Sequence, residues 1–226
     1  MIEDRYSIVG TSHVSFESKQ RIKKEFANFQ PDIIAVELDR ARLNGLIRNE
    51  KTSLNPSAIF KIGFLGYLFA VIGKLVQNKV GKMTGMQAGE EMLLGVNLAK
   101  NNKLILALID QDIQITLKNL SRKTKMRERF KILKDVLFSK SKKIKIDVSK
   151  IPTDEVILKL TEELRREYPG MYSALIEDRN KYMAKKAFGL LNQFPDKKVL
   201  IIIGAGHKEG VEKHLKTLIE SNLTRN

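Results

Sequence analysis

Four short runs of aliphatic and β-branched residues set what this chain can fold into: Arg5–Gly10 (RYSIVG), Asp32–Leu38 (DIIAVEL), Leu104–Ile109 (LILALI) and Val199–Ile203 (VLIII). The last three are apolar on both sides, as expected of strands covered on both faces of a parallel sheet. The stretches between the runs are long and carry helical spacing, as parallel crossovers require. The reading is an α/β fold with a mostly parallel central sheet flanked by helices. A helical insertion (41–102) separates strands two and three, and a helical segment precedes the last strand. At 226 residues the chain can bury a sizeable core as a single domain, 1–226.

The helices have readable ends. Ser15 is placed to cap a helix with Ile22, Phe26 and Phe29 on one face, and Pro31 stops it. Asp154–Arg166 forms a helix behind Thr153, stopped by Tyr168-Pro169-Gly170. Another runs from Met171 to Phe194, where Tyr172, Ile176, Arg179, Met183, Ala187 and Leu190 alternate spacings of three and four. Arg179 therefore points the same way as the apolar stripe. An inward arginine needs a carboxylate or a bound anion.

Charge is concentrated in one place. Residues 118–150 hold thirteen Lys/Arg against three acids, which accounts for +10 of the net +15. Such a block reads first as a solvated face, and second as a contact for anionic lipid or acidic partners. Phe130 and Phe138 are too few aromatics for a stacking platform, so nucleic acid is not an expected partner. The stretch 58–76 (AIFKIGFLGYLFAVIGKLV) is about as long as a membrane span but contains Lys61, Lys74 and three glycines. It reads as a buried or homodimer-forming helix, with membrane contact as the alternative. There is no cysteine and no signal-peptide layout, which fits a cytoplasmic, reducing location, with or without membrane association.

Chemistry gathers where ligands bind in open α/β sheets, at the carboxyl ends of the strands. His13 follows strand one, Glu37 and Asp39 follow strand two, Asp110 and Asp112 strand three, and His207 the last. Two of the three histidines sit in matching Gly-x-x-His motifs, Gly10-Thr11-Ser12-His13 and Gly204-Ala205-Gly206-His207. His13, Glu37 and His207 make a sufficient first shell for a divalent cation that activates water. The same residues would equally serve as general base and acid without metal. Asp110 and Asp112 read as well as helix caps and turn residues as they do as ligands. Gly10 and Gly204 end strands, and Gly206 would let the backbone pass close to a bound group. His214, beside the Val211/Leu215/Leu218 stripe, reads as structural. A dinucleotide loop, a Walker A loop and a Gly-x-Ser-x-Gly elbow are all excluded by their surroundings.

The ordered segments GTSHVS, PDIIAVELDRARL, Gly89-Glu90-Glu91-Met92, LIDQDIQITL, EDRNKYMA and VLIIIGAGHKEGV resemble the TraB/PrgY family, whose wider group includes Tiki, GumN, erythromycin-esterase and ChaN-like proteins. The resemblance covers nearly the whole chain. It implies a metal-dependent, peptidase-like hydrolase acting on a peptide or other small acyl substrate. His13, Glu37 and His207 would be the catalytic and metal set, with Mn, Co or Zn as the metal. By position in the motifs, Arg179 joins the catalytic residues, and Arg40 and Glu91 join Gly10, Gly204 and Gly206 on the substrate side. The family's Asp-Arg-Asp is Asp110-Gln111-Asp112 here, which removes one charge near the expected site. The contrasting expectation is a non-enzymatic protein that uses the basic segment and the 58–76 helix at a membrane surface or on a partner.

Overall fold

The computed structural model describes residues 2–11, 16–48, 89–138 and 154–224. After a single 3-10 turn, the elements are β1 (Tyr6–Thr11), α1 (Phe16–Phe29), β2 (Ile33–Val36), α2 (Arg40–Arg48), α3 (Glu90–Asn101) and β3 (Ile105–Leu108). Then come α4 (Ile113–Lys123), α5 (Met126–Phe138), α6 (Asp154–Glu167), α7 (Pro169–Tyr172), a π-helical turn (Ser173–Glu177), α8 (Asp178–Gln193), β4 (Val199–Gly204) and α9 (Ala205–Leu223). All four expected strands are present, and all pair in parallel, in the order β1-β4-β2-β3.

The last strand enters between the first and second. Thr11 pairs with Gly204 across β1 and β4, and Val36 pairs with Ile202 across β2 and β4. Asp32 fixes the start of this pairing: its backbone N–H donates to the Lys198 carbonyl at 2.9 Å, and its carboxylate accepts from the Lys198 N–H at 2.8 Å.

The unbroken apolar runs are explained by the layers. Ile33, Ala35, Val199, Ile201 and Ile203 face one core with Met183, Ala187 and Leu191 of α8 and Val211 and Leu215 of α9. Ile34, Val36, Leu200 and Ile202 face the other with Ile22 of α1 and Met92, Val96 and Ala99 of α3. Alternate residues of a strand point to opposite faces, so a strand buried on both sides has no polar position to spare.

The π-helical turn is the main departure from the expected single helix over Met171–Phe194. Glu128 of α5 accepts from the Gly170 and Met171 N–H groups at 3.2 and 3.0 Å, satisfying donors that the start of a helix leaves open. One turn later the helix widens over Ser173–Glu177, then resumes as α8. Such turns admit an extra residue and rotate everything downstream.

The 58–76 helix, with the dimer or membrane contact expected of it, lies outside the described residues, as do Ser15, Thr153 and residues 139–150 of the basic segment. Among the described residues no helix is long and apolar enough to cross a membrane.

Candidate functional site

Three neighbouring strands deliver their ends to one spot. In sheet order these are β4, leading to His207 in the first turn of α9, β2, leading to Glu37, and β3, leading to Asp110. The helix α8 lays Arg179 across all three. Its Nη2 donates to Glu37 Oε1 and, at 2.5 Å, to Asp110 Oδ2. Its Nε donates to Asp110 Oδ1 at 3.0 Å, and its Nη1 lies 2.9 Å from His207 Nε2. The arginine expected to face inward does so, and its partners are the strand-end carboxylates.

The cluster is dry. The Asp110 side chain is 0% exposed, that of Glu37 6% and that of Arg179 15%. Burial works against the guanidinium charge, but Glu37 and Asp110 outweigh it and hold Arg179 well above its ordinary value. A second arginine, Arg42, donates through Nε to Asp39 Oδ2 at 2.7 Å and through Nη2 to Asp110. Burial opposes its charge too, and Asp110 and Asp39 more than compensate. Asp39 also accepts from the Arg42 backbone N–H at 2.9 Å, which ties the start of α2 to the same group.

Glu37 is held at both oxygens. Oε1 takes Arg179, and Oε2 accepts from the Gly204 N–H at 2.6 Å. His207 Nε2 stands 3.5 Å from Glu37 Oε1, and its Nδ1 is 2.6 Å from Asn180 Oδ1. A guanidinium has no lone pair to accept with, so the Nε2 facing Arg179 is the acceptor of the pair.

A cation was expected between Glu37, His207 and His13. Two ligands bonded at about 2.0–2.2 Å to one tetrahedral ion lie roughly 3.4 Å apart. Glu37 Oε1 and His207 Nε2 have that spacing, but both face the Arg179 guanidinium, which an ion shared between them would have to displace. The charge suits a cation: Glu37, Asp39 and Asp110 meet two guanidinium groups, leaving one formal negative charge. Among the described residues no third ligand completes the set. His13 lies outside them.

The other expected residues separate. Arg40 is exposed at the start of α2, whereas Arg42, two residues on, reaches the cluster. Glu91 is buried in the first turn of α3. Gly10 is buried in β1, where a side chain would meet Lys208 at 3.2 Å. At Gly206 a side chain would meet Thr161 and Ile157 of α6, at 3.2 and 3.4 Å. The two strand-three acids divide as well: Asp112 caps α4 by accepting from the Gln114 N–H at 2.7 Å, while Asp110 belongs to the cluster.

Four consecutive polar residues from the end of the widened turn onward, Glu177 to Asn180, reach three different parts of the fold, because successive helical residues point about 100° apart. Asp178 pairs with Lys123 of α4 at 2.6 Å, Arg179 takes the strand ends, and Asn180 takes His207. Glu177 lies 3.0 Å from His214 Nε2 and 3.1 Å from Lys181 Nζ, which gives His214 the structural place expected of it. Burial would raise the Glu177 carboxyl, but Lys181 and His214 bring it below its ordinary value. Its stabilising contribution is therefore complete above the unfolded-state value and is lost as pH falls through the lower folded one. Glu177→Gln is expected to cost less than about 1 kcal/mol at pH 7 and nothing once both states are protonated; urea unfolding at neutral and strongly acidic pH measures this.

Comparison with known proteins gives consistent matches. The model of the TraB/PrgY/gumN family matches residues 3–225. An uncharacterized protein of Methanocaldococcus jannaschii is 32% identical over 220 residues, covering 95% of this chain and 54% of its own length. Proteins of mouse and human, each described as a TraB domain-containing protein, are 24% identical over 237 residues, covering 94% of this chain and 63% of their own length. The chain thus spans between half and two thirds of the length of these relatives.

Proposed function

Because the chain belongs to the TraB/PrgY/gumN family, we propose that the cluster is a hydrolytic site for a peptide or other small acyl substrate. The observation that carries this reading is the His207 Nε2 acceptor set 3.5 Å from Glu37 Oε1 at adjacent strand ends. His13, Glu37 and His207 would hold a divalent cation (Mn, Co or Zn), whose chemistry is to lower the pKa of bound water toward neutrality. Without a cation, His207 Nε2 and Glu37 Oε1 would instead orient the attacking water and take its proton. Arg179 holds both carboxylates in place, and its Nη1 would be near enough to His207 to meet negative charge developing there. Arg42, partly exposed, and Arg40, at the start of α2, are available for a substrate carboxylate.

The test is hydrolysis of fluorogenic peptide and ester libraries with and without added Mn, Co or Zn. Glu37→Gln and His207→Gln are expected to lower turnover at least about 100-fold. Equal turnover in these variants overturns the site. Equal metal content in wild type and His13→Ala/His207→Ala overturns the cation.

A specific surface favours a second role for the same chain, contact with an anionic membrane. Ile115 on α4 and Met126 and Phe130 on α5 are 52%, 59% and 65% exposed. They share their helix faces with exposed Lys118 and Arg122, and with exposed Arg127 and Lys134, respectively. Apolar side chains rimmed by Lys and Arg suit the boundary of an anionic bilayer. The protein is expected to float with phosphatidylserine vesicles at low salt, to release at high salt, and to lose binding in Met126→Glu/Phe130→Glu. Equal flotation with neutral vesicles counts against this role.

A further inference from the structure

We propose that Asn180 is a positioning residue that fixes which nitrogen of His207 carries the proton. This rests on reading His207 as a working group of the site. Two consecutive residues of α8 hold opposite edges of one imidazole: Arg179 at Nε2, 2.9 Å away, and Asn180 at Nδ1, 2.6 Å away. The arginine can only donate, so Nε2 must present its lone pair. A neutral imidazole then carries its proton on Nδ1, and Asn180 must present its carbonyl oxygen there. Turning the amide over would set an N–H against Nδ1–H, and moving the proton to Nε2 would set it against the guanidinium.

The arrangement is built in depth. Asn180 is 2% exposed and His207 5%, so neither can trade the bond for water at no cost. The amide nitrogen of Asn180 points at Gly210, one turn after His207 on α9, and fits only because no side chain stands there. A Cβ at 210 would lie 2.1 Å from Asn180 Nδ2. The order of dependence is Gly210, then Asn180, then His207, then the Nε2 acceptor beside Glu37. A neutral amide does this without adding charge: an aspartate would hold the same tautomer but would also favour the imidazolium. Keeping Nε2 free of a proton is what either a proton acceptor or a metal ligand requires, and the partner on the other ring nitrogen is the usual means of fixing it.

With three histidines in the chain, the proton can be read directly from long-range 1H–15N spectra of the imidazoles in the full chain with chelator present. His207→Gln assigns the relevant signals. Wild type is expected to show His207 as the Nδ1–H tautomer at neutral pH. Asn180→Ala is expected to lose that pattern, Asn180→Asp to keep the Nδ1 proton while shifting Nε2 toward protonation, and Gly210→Ala to lose the pattern although Asn180 is still present. An Nε2–H tautomer in wild type overturns the proposal, as does an unchanged Nδ1–H pattern in Asn180→Ala. The spectra report proton position whether or not any substrate is cleaved, so failure of the hydrolytic reading and failure of this proposal are told apart.

Discussion

Arg179→Leu is expected to lower the unfolding free energy by about 3–5 kcal/mol, the range for removing one partner of a buried ion pair. The loss is large because one guanidinium serves Glu37, Asp110 and His207 together, and the two carboxylates stay buried when it is gone. Asp110 keeps Arg42 and the Gln111 N–H, and Glu37 keeps the Gly204 N–H, which limits the damage. Arg42→Leu should cost less, because the Arg42 side chain is 30% exposed and Arg179 still covers Asp110. Arg179→Lys keeps the charge but cannot fork to three partners, and should fall between wild type and Arg179→Leu. The guanidinium is held above its ordinary value, so its contribution is complete below that value and is lost only as pH rises past the folded one. The effect therefore persists across the neutral range. Denaturant midpoints at constant slope measure it; an Arg42→Leu cost equal to that of Arg179→Leu would refute the central place given to Arg179.

Gly210→Ala is expected to cost about 1–3 kcal/mol, as overpacking does, although alanine is the better helix former. The new methyl group would stand 2.1 Å from Asn180 Nδ2 and 2.8 Å from its Cγ, so α8 and α9 must part or the amide must turn away. Gly189→Ala, on the exposed side of α8, is the control. Nothing lies within 4 Å of its Cβ position, so the ordinary helical preference should appear as a gain of about 0.5–1 kcal/mol. Adding Asn180→Ala to Gly210→Ala removes the clashing group, and the pair should destabilise by less than the sum of the two changes. Thermal or urea unfolding of the four variants decides this, and additive costs would show that the two residues do not collide.

These two predictions fall on residues of unequal legibility. Arg179 could be found in the sequence because it interrupts an apolar stripe, and a charge on a buried face announces a partner. Asn180 and Gly210 carry no such mark, since an asparagine and a glycine in helices have many uses, and only the approach of α8 to α9 shows theirs. The motif puts Arg40 on the substrate side and says nothing of Arg42, which reaches Asp110 because Asp39 accepts from the Arg42 N–H and sets the register of α2. Asp110 and Asp112 are equivalent on paper. The turn after β3 sends one inward and leaves the other to cap α4.

What the sequence determined by itself was the layer plan and the edge at which chemistry gathers. Strands apolar at every position can only be buried on both faces, and polar residues next to them can only emerge at their ends. Glu37, Asp110 and His207 therefore belong at the carboxyl edge by sequence alone. Only the tertiary structure decided which of those groups touch. The insertion of β4 between β1 and β2 puts His207 next to Glu37, and the widened turn at Ser173–Glu177 precedes the residues that carry Arg179 and Asn180 to opposite edges of one imidazole. Strand order and helix phase arise from contacts between residues far apart in the chain, and no local pattern of residues encodes them.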